Sequence, residues 1–372
     1  MAFLVTESPR TRRGWRQAAT RVAETLATPL VPADYFDLFA PLRRGAELRA
    51  RVVDVHPETR DAATLLLKPG ADWAGHQPGQ YIRIGVDVDG VRHWRAYSLT
   101  HGPRADGLIS ITVKAVADGK VSPYLVHQTK PGTLLHLEQA AGEFVLPERP
   151  GPLLFVTAGS GVTPVIGMLR NLFPISDDAG VVVPLRSRGL DIVVVHVAPS
   201  EPDSIFLSHL KALDAAGSIR LVPRYDDVHG VLDVDELTSL VPDLAKRATY
   251  ACGPAGLLDA LHEHHDRHGL PLFVEQFRVA YVEAGEGGSI QFDSTDTVVE
   301  SDGATPILDA AEAAGVLMPS GCRMGICFGC VLPMREGSVR DLRNGEITTA
   351  TGDPVIIQTC INAAAGDCHL DH

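Results

Sequence analysis

Short apolar segments separated by Gly, Pro and Asp occupy residues 47–150. "ELRARVVDVHPET", "GQYIRIGVDVDG" and "LISITVKAV" are examples, each long enough for one strand and bounded by turn residues. Many short strands at such spacing are typical of an antiparallel sheet that closes on itself. The pattern therefore predicts an antiparallel β-barrel for this region.

Residues 151–273 have a different pattern, in which apolar strands alternate with helical segments. "LLFVTA" leads through a glycine-rich turn into a helix, and "DIVVVHVA" leads to the helical segment "DSIFLSHLKALDAAG". "SIRLVPRY" and "ATYACGPAGLLDAL" continue the alternation. This order predicts a doubly wound α/β domain with a parallel sheet, whose ligand binds at the carboxyl ends of the strands.

The C-terminal region mixes strands with one short helix. "SIQFDSTDTVVES" alternates as a strand or hairpin does, and "TPILDAAEAAGV" predicts a helix with Thr305 as N-cap, Pro306 at its first position and an end near Gly315. The segment "EAGEGG" before it predicts a flexible tether. The predicted divisions are a helical and extended arm at 1–46, the barrel at 47–150, the α/β domain at 151–273, a linker at 274–288 and a C-terminal domain at 289–372.

Charge is unevenly distributed along the chain. The net charge is −13, and from Glu283 to the C-terminus 14 acidic residues stand against four Arg and no Lys, which is −10. This balance disfavours nucleic-acid binding and favours a partner with a basic surface, because complementary charge speeds encounter. An acidic surface that only maintains solubility is the alternative.

The chain has no apolar run near the roughly 18 residues of a membrane span, and "TRRGWRQAATR" lacks the apolar core of a secretory signal. We therefore expect a cytoplasmic protein, in which cysteines stay reduced and clusters of them indicate metal. Residues 1–46 carry seven Arg against four acidic residues, which permits weak association with the inner face of a membrane.

Four cysteines form the strongest motif. Cys322, Cys327 and Cys330 are spaced C-x4-C-x2-C, and Cys360 follows after 29 residues. This is the plant-type pattern for four thiolates around a [2Fe–2S] cluster, and soft thiolates suit iron and sulfide. Zinc sites usually pair two short C-x-x-C units, so the four-residue gap fits zinc poorly.

Two further motifs are weaker when taken alone. Gly159 and Gly161 at the start of a helix expose backbone amides that could bind phosphate, although a tight β–α turn uses the same residues. Thr163 is expected near the N-cap of that helix and Pro164 near its first position. Arg95 and Tyr97 share one face of a barrel strand, which suits a flavin phosphate and ring but also an ordinary half-buried strand.

Taken together, the motifs resemble the ferredoxin–NADP reductase superfamily, fused to a C-terminal plant-type ferredoxin. The resemblance rests on "RAYSLT", "ITVK", "GKVSPYL", "ACGP" and "PSGCRMGICFGC" and covers nearly the whole chain. It implies three domains: an antiparallel flavin barrel, a doubly wound nucleotide domain and an α+β ferredoxin domain of the β-grasp type. The flavin-binding residues that it implies are Arg95, Ala96, Tyr97, Ser98, Thr112, Val113, Lys114, Gly119, Lys120, Val121 and Ser122. The nucleotide-binding residues that it implies are Gly159, Gly161, Thr163, Pro164, Ser200, Arg224, Cys252, Gly253 and Pro254.

The same resemblance implies three catalytic residues. Ser98 would lie near flavin N5, and Cys252 and Glu275 would lie beside the nicotinamide. A small residue packed at a strand end is the alternative for Cys252, and a surface glutamate is the alternative for Glu275.

Cofactor identity is predicted only in part. "GKVSPYL" suits a pyrophosphate and favours FAD over FMN. Pro199 stands where NADPH-dependent relatives commonly have an arginine, and Glu201 favours NADH. Ser200 and Arg224 could instead hold the 2′-phosphate of NADPH, which the overall resemblance favours.

The implied function is electron transfer from NAD(P)H through FAD to the [2Fe–2S] cluster, and on to a terminal oxygenase or desaturase that docks at the acidic C-terminal domain. A flavin must stand between the two because NAD(P)H gives two electrons and the cluster accepts one. The resemblance is greatest to reductases of membrane acyl-CoA Δ9 desaturases, including the stretches "PLVPADYFDLFAPL" and "DGVRHWRAYSLT". The alternatives are a reductase for a soluble ring-hydroxylating, steroid or CoA-ester oxygenase, and a flavin and iron–sulfur redox sensor that is not an enzyme.

Overall fold

A computed structural model describes residues 39–88, 91–117, 119–174, 189–277, 285–321, 323, 325 and 328–372. Within these ranges the chain forms three separate sheets, of six, five and five strands. The predicted fold class is confirmed: an antiparallel barrel is followed by a parallel α/β domain and then by an α+β domain. Residues 1–38 of the predicted arm and residues 278–284 of the predicted linker lie outside the described residues.

The first sheet is antiparallel and has the order β4-β3-β6-β1-β2-β5. Its elements are β1 (Arg49–Thr59), β2 (Ala62–Pro69), β3 (Tyr81–Val88), β4 (Val91–Ser98), β5 (Ile109–Lys114), helix α1 (Val121–His127) and β6 (Leu134–Leu137). A bridge between Leu99 and Ile111 links the two ends of the sheet. The barrel closes around buried aliphatic side chains such as Leu65, Ile84 and Val113.

The second sheet is entirely parallel, with the order β11-β10-β7-β8-β9. Its strands are β7 (Leu153–Ala158), β8 (Ile192–Ala198), β9 (Arg220–Tyr225), β10 (Ala248–Cys252) and β11 (Leu272–Glu275). Its helices are α2 (Val162–Leu172), α3 (Leu207–Ala215), α4 (Asp226–His229), α5 (Leu237–Leu240) and α6 (Ala255–His268). Strands β8 and β9 are added on one side of β7, and β10 and β11 on its other side. The order of strand addition therefore reverses between β7 and β10, and a ligand is expected at such a switch point.

The barrel and the α/β domain pack closely together. A Cβ added to Gly167 of α2 would lie 2.3 Å from the carbonyl oxygen of Leu99, so only glycine permits this approach. Arg170 of α2 donates a hydrogen bond of 3.1 Å to the carbonyl oxygen of Thr100. Ala62 of the barrel also belongs to the apolar cluster that includes Phe155 of β7. The end of β4 is therefore held against α2.

The third sheet is mixed, with the order β13-β12-β16-β14-β15. Its elements are β12 (Gly288–Phe292), β13 (Thr297–Ser301), α7 (Ile307–Ala313), β14 (Val331–Asp341), β15 (Ile347–Gln358) and β16 (Asn362–Leu370). Strands β12 and β13 form the predicted antiparallel pair, and β12 runs parallel to β16. Helix α7 covers one face through Ile307 and Ala311.

Three predicted boundaries were wrong by a few residues. A 3₁₀ turn at Gly159–Gly161 leads directly into α2, so Thr163 and Pro164 lie at its second and third positions instead of at the N-cap and the first position. Helix α7 begins after Pro306, which occupies the N-cap position predicted for Thr305. Strand β11 continues to Glu275, two residues into the predicted linker. No helix in the described ranges is long and apolar enough to cross a bilayer.

Candidate functional site

A pocket lies where the end of β4 meets the end of β11. The barrel contributes Tyr81 and the consecutive residues 95–98 to its lining, and the α/β domain contributes Glu275 and Phe277. The structure thus brings the predicted flavin-binding strand and the predicted nicotinamide-side glutamate into one pocket. Arg95, Ala96, Tyr97 and Ser98 all line it, as the motif predicts.

Ser98 is the most informative residue of this pocket. Its side chain is 3% exposed, and among the described residues its hydroxyl has no hydrogen-bond partner. Buried polar groups are nearly always satisfied, so an orphaned hydroxyl in a pocket indicates a missing ligand. A hydroxyl can donate or accept, which fits the polar edge of a flavin ring. The pocket therefore fits FAD.

Arg95 and Tyr97 have the charge states that FAD binding requires. Burial lowers the pKa of Arg95, and the nearby charge of Arg323 adds to this effect, but a guanidinium stays protonated at neutral pH. Burial raises the pKa of the Tyr97 hydroxyl, so the ring is neutral. Arg95 also donates a 2.8 Å hydrogen bond to the carbonyl oxygen of Trp94. The strand thus offers a cation for a phosphate and an uncharged aromatic face.

The other predicted flavin residues do not line this pocket. The Thr112 hydroxyl bonds to that of Thr64 at 2.6 Å, Val113 packs inside the barrel, and Lys114 pairs with Asp61 at 3.4 Å. The remaining four lie at the start of α1: Gly119 and Lys120 precede the helix, and Val121 and Ser122 are its first two residues. There the Ser122 hydroxyl accepts a 3.1 Å hydrogen bond from the Val116 amide.

The glycine turn after β7 contacts the Cys-Gly-Pro segment after β10. A Cβ on Gly161 would lie 2.1 Å from the carbonyl oxygen of Cys252, and one on Gly253 would lie 3.1 Å from the Cβ of Ala158. Gly159 has φ +53°, a conformation that favours glycine. Pro254 follows as the N-cap of α6. The two motifs thus meet at the switch point, where a dinucleotide is expected to bind.

Cys252 and Glu275 lie side by side at the ends of β10 and β11. Cys252 is fully buried, and burial together with the Glu275 carboxylate raises the pKa of its thiol. Burial raises the pKa of Glu275 to about 7. At neutral pH the thiol is therefore neutral, while Glu275 exchanges a proton readily.

Ser200 and Arg224 lie near the ends of the adjacent strands β8 and β9, where Val197 pairs with Arg224. Both side chains already have partners. Arg224 pairs with Glu236 at 2.8 Å, and the Ser200 hydroxyl donates to Asp203 at 2.7 Å. A 2′-phosphate at this place would compete with the Glu236 carboxylate for Arg224. Sequence analysis missed Glu236 because its pairing with Arg224 is apparent only in the fold.

Two of the four predicted cluster ligands, Cys322 and Cys327, lie outside the described residues. Cys330 is 1% exposed and Cys360 is 2% exposed, and both pack against Leu308 and Ile361. The Thr359 hydroxyl and amide bond to the Cys330 carbonyl oxygen at 2.9 and 3.2 Å. These bonds join the start of β14 to the end of β15 and bring the two cysteines into one buried site. A pair of buried thiols of this kind fits a [2Fe–2S] cluster.

Arg323 is a residue near the site that sequence analysis missed. Its guanidinium pairs with Asp309 and Glu312 of α7. Its charge also acts on Arg95 and on His93, both on β4. Arg323 therefore lies within electrostatic range of the flavin strand. No sequence signal identifies such a residue, because the interaction joins two domains.

Comparison with known families agrees with this architecture. Residues 50–146 match the oxidoreductase FAD-binding domain, and residues 290–362 match the 2Fe-2S iron-sulfur cluster binding domain.

Two characterised relatives and one solved structure are similar to the chain. It is 43% identical over 368 residues to an NADPH oxidoreductase of Mycobacterium tuberculosis, covering 96% of this chain and 93% of that protein. It is 27% identical over 346 residues to the ferredoxin reductase component of 3-ketosteroid-9-alpha-monooxygenase of Mycolicibacterium smegmatis, covering 83% and 94%. The structure of phthalate dioxygenase reductase superposes with a TM-score of 0.59 at 20% identity, covering 87% of this chain and 97% of that one, which supports the fold.

Proposed function

We propose a specific electron path for this chain on the premise that it belongs to the family of NAD(P)H-dependent, FAD- and [2Fe–2S]-containing oxidoreductases of the ferredoxin reductase type. In this proposal NAD(P)H binds at the switch point, FAD binds along β4, and the cluster is held by Cys322, Cys327, Cys330 and Cys360. Bound FAD would supply the conversion from two-electron to one-electron transfer.

One observation carries the proposal: Ser98 and Glu275, from two different domains, line the same pocket. The unpartnered Ser98 hydroxyl would bond to the flavin edge. Glu275 and Cys252 would border the nicotinamide, with Glu275 able to hold or release a proton near pH 7. Tyr97 would cover the ring, and Arg95 would neutralise a flavin phosphate. The buried thiol would fill space beside the nicotinamide without adding charge.

The final acceptor in this proposal is an oxygen-activating enzyme, and specifically a membrane acyl-CoA Δ9 desaturase. Support comes from the resemblance in the stretches "PLVPADYFDLFAPL" and "DGVRHWRAYSLT". The reductase component of the steroid monooxygenase, at 27% identity, favours a soluble oxygenase as the second candidate. The acidic C-terminal domain would carry the docking surface in either case. NADPH is the proposed donor, supported by the positions of Ser200 and Arg224 at the ends of β8 and β9 and by the similarity to the NADPH oxidoreductase of Mycobacterium tuberculosis.

Anaerobic titration tests the path. The purified protein with its full flavin and iron content should bleach in the visible range on addition of NADPH, and less readily with NADH. No bleaching with either nucleotide would refute the reductase function. Rapid turnover with cytochrome c would exclude a redox sensor. Stimulation by membranes that contain an acyl-CoA desaturase, compared with a soluble ring-hydroxylating oxygenase, distinguishes the two acceptors.

A matched pair of cysteine variants tests the cluster assignment. Cys330→Ser should remove the iron–sulfur absorbance and leave that of FAD. Cys368→Ser should leave both, because Cys368 is buried on β16 within the apolar cluster of the sheet. Loss of iron in the Cys368 variant and retention in the Cys330 variant would contradict the assigned ligands.

A further inference from the structure

Phe328 has a conformation and an exposure that folding alone does not explain. It lies between Cys327 and Cys330, its φ is +55°, and its side chain is 64% exposed. Non-glycine residues rarely adopt positive φ, and a bulky one there is a real outlier. The ring also gains little from burial, since most of it remains in water. Glycine at this position would relieve the backbone at almost no loss of packing.

The Phe328 ring borders an open groove on the outer edge of the third sheet. The apolar lining of this groove, here called the Phe328 groove, consists of Phe328, Val331, Ile356, Ile357 and Ile361. Ile356 is 63% exposed, so two large apolar side chains project into solvent beside the cysteine loop. Strand β15 has a sheet partner on one side only, which leaves this edge uncovered in the described part of the chain. Exposed apolar patches of this kind usually mark binding surfaces.

The charge of the domain indicates what covers the groove. Asp341 and Glu346 line it, Asp341 as the ion-pair partner of Arg343 at 2.6 Å, and the segment from Glu283 to the C-terminus has a net charge of −10. An acidic surface attracts basic proteins, and it repels both acidic proteins and anionic membranes. The occupant that fits is therefore a protein with an apolar seat inside a ring of Lys and Arg.

We propose that the Phe328 groove is the docking surface for the terminal electron acceptor, with Phe328 and Ile356 as its apolar contacts. This inference rests on the proposed function and identifies where the partner binds. A partner seated on Phe328 would lie beside two predicted cluster ligands, which gives a short transfer distance and excludes water. The strained backbone at Phe328 is the consequence of presenting an aromatic ring at this point of the loop.

Cytochrome c is a suitable probe, because it is a basic protein with an exposed haem edge. Ferricyanide is the reference acceptor, since a small ion needs no docking surface. The variants are Phe328→Ser and Ile356→Ser, and the matched control is Val298→Ser, which lies on β13 at the opposite edge of the same sheet and is 55% exposed. All are assayed with NADPH as holoproteins at equal flavin and iron content, at low and high salt.

We expect each groove variant to raise the KM for cytochrome c about fivefold, as loss of a partly buried apolar contact predicts. Turnover with ferricyanide should stay unchanged, as should both activities of the Val298 variant. The KM of the parent protein for cytochrome c should rise with salt, because opposite charges attract less when screened.

Phe328→Gly separates docking from a structural role. It should leave the melting temperature unchanged or higher while raising the KM for cytochrome c as Phe328→Ser does. An unchanged KM in the groove variants, or an equal rise in the Val298 variant, would overturn the docking proposal. A parallel loss of ferricyanide turnover would also overturn it, since the defect would then lie in the cluster. Absence of any NADPH-driven activity in the parent protein would instead refute the proposed function.

Discussion

Ser98 is a buried hydroxyl that has no partner among the described residues, whereas Ser110 is equally buried and bonded to the Thr100 hydroxyl at 2.7 Å. Removing a hydroxyl that makes no hydrogen bond has little effect on the free energy of unfolding. Removing a hydroxyl that is bonded leaves its buried partner without a hydrogen bond, which lowers stability. The two serines therefore make a matched pair for testing the flavin site.

We expect Ser98→Ala to leave the flavin-free protein as stable as before and to weaken FAD binding about fivefold, the effect of one lost hydrogen bond. Ser110→Ala should lower the melting temperature and leave FAD affinity unchanged. Fluorescence titration with FAD and thermal unfolding measure the two effects. Equal FAD affinity in the parent and the Ser98 variant would contradict the role of this hydroxyl.

Glu275 should make stability depend on pH. Its pKa is raised by burial from the ordinary 4.5 to about 7, so the folded state holds the proton more tightly than the unfolded chain. Its contribution is complete below about pH 4.5 and is lost as the pH rises to about 7. The loss should be on the order of 2 kcal/mol, after allowance for partial solvation.

The Glu275→Gln variant provides the comparison. Urea unfolding of both proteins without nucleotide, at several pH values across this window, gives the difference in free energy of unfolding. We expect the parent to lose stability relative to the variant as the pH rises. A constant difference across the window would show that the carboxylate titrates near its ordinary pKa.

At the residue scale, the sequence predicted the roles of side chains that belong to a continuous motif, and it did not predict roles that depend on residues distant in the chain. The motif "RAYSLT" identified residues 95–98, and all four line the pocket. Thr112 was assigned from the same resemblance, yet its hydroxyl bonds to Thr64 across the neighbouring strand. Glu236 and Arg323 were missed because their ion-pair partners lie on other elements and match no local motif.

Among the elements, the turn between β7 and α2 is the one in which a single atom should matter most. We expect Gly161→Ala to abolish detectable binding of NADPH, because the added Cβ would lie 2.1 Å from the Cys252 carbonyl oxygen and would push the two ligand-binding loops apart. Isothermal titration with NADPH measures the loss of affinity.

Gly256→Ala, in the first turn of α6, is the control. Nothing lies within 4 Å of a Cβ at that position, and alanine favours helix by about 1 kcal/mol over glycine. This variant should bind NADPH normally and unfold at a slightly higher temperature. Normal binding by the Gly161 variant would mean that the close contact is not required.

Whether a segment forms a helix or a strand was predictable where its hydrophobic period and its length indicated the same element. The first and last residues of each element were less predictable. The alternation of "SIQFDSTDTVVES" predicted a strand or hairpin, and in the fold Ile290 lies opposite Val299. The start of α2 was placed late because Thr163 and Pro164 match a helix start. In the fold, the helical turn begins at Gly159, and the Thr163 hydroxyl bonds back to the Ser160 carbonyl oxygen at 2.9 Å.

On the scale of the whole molecule, the half-buried His101 and the buried His209, near the junction of the barrel and the α/β domain, should make the protein acid-sensitive. Burial and the charge of Arg170 lower the pKa of His101 to about 2 and that of His209 to about 3. Because the folded pKa lies below the unfolded value near 6.5, stability is complete above that pH and falls as the pH decreases.

We expect the double variant His101→Gln, His209→Gln to lose less stability than the parent between about pH 6.5 and pH 5, by about 2 kcal/mol per histidine. The measurement is the change with pH in the free energy of unfolding by urea. The slope is compared because the substitutions themselves shift the absolute free energy of unfolding. Equal slopes in the two proteins would show that neither histidine stays neutral in the fold.

Domain order was predictable at this scale because each sheet type has its own hydrophobic period. Contacts between domains were not, since they depend on which surfaces meet. Gly167 shows the limit: within "TPVIGMLRNL" it looks like a weak point of a helix, and only the fold shows that it lies against the Leu99 carbonyl oxygen.

The shared packing of Ala62 with Phe155, and the close approach of α2 to the barrel, also bear on protein engineering. A chimera cut at residue 150 would divide one cooperative folding unit and expose apolar surface on both halves. Exchange with another reductase should instead keep 47–277 as one cassette and join it to a foreign ferredoxin within 278–287. Recombination at that point replaces the domain that passes electrons to the acceptor and leaves the NAD(P)H-binding domain intact.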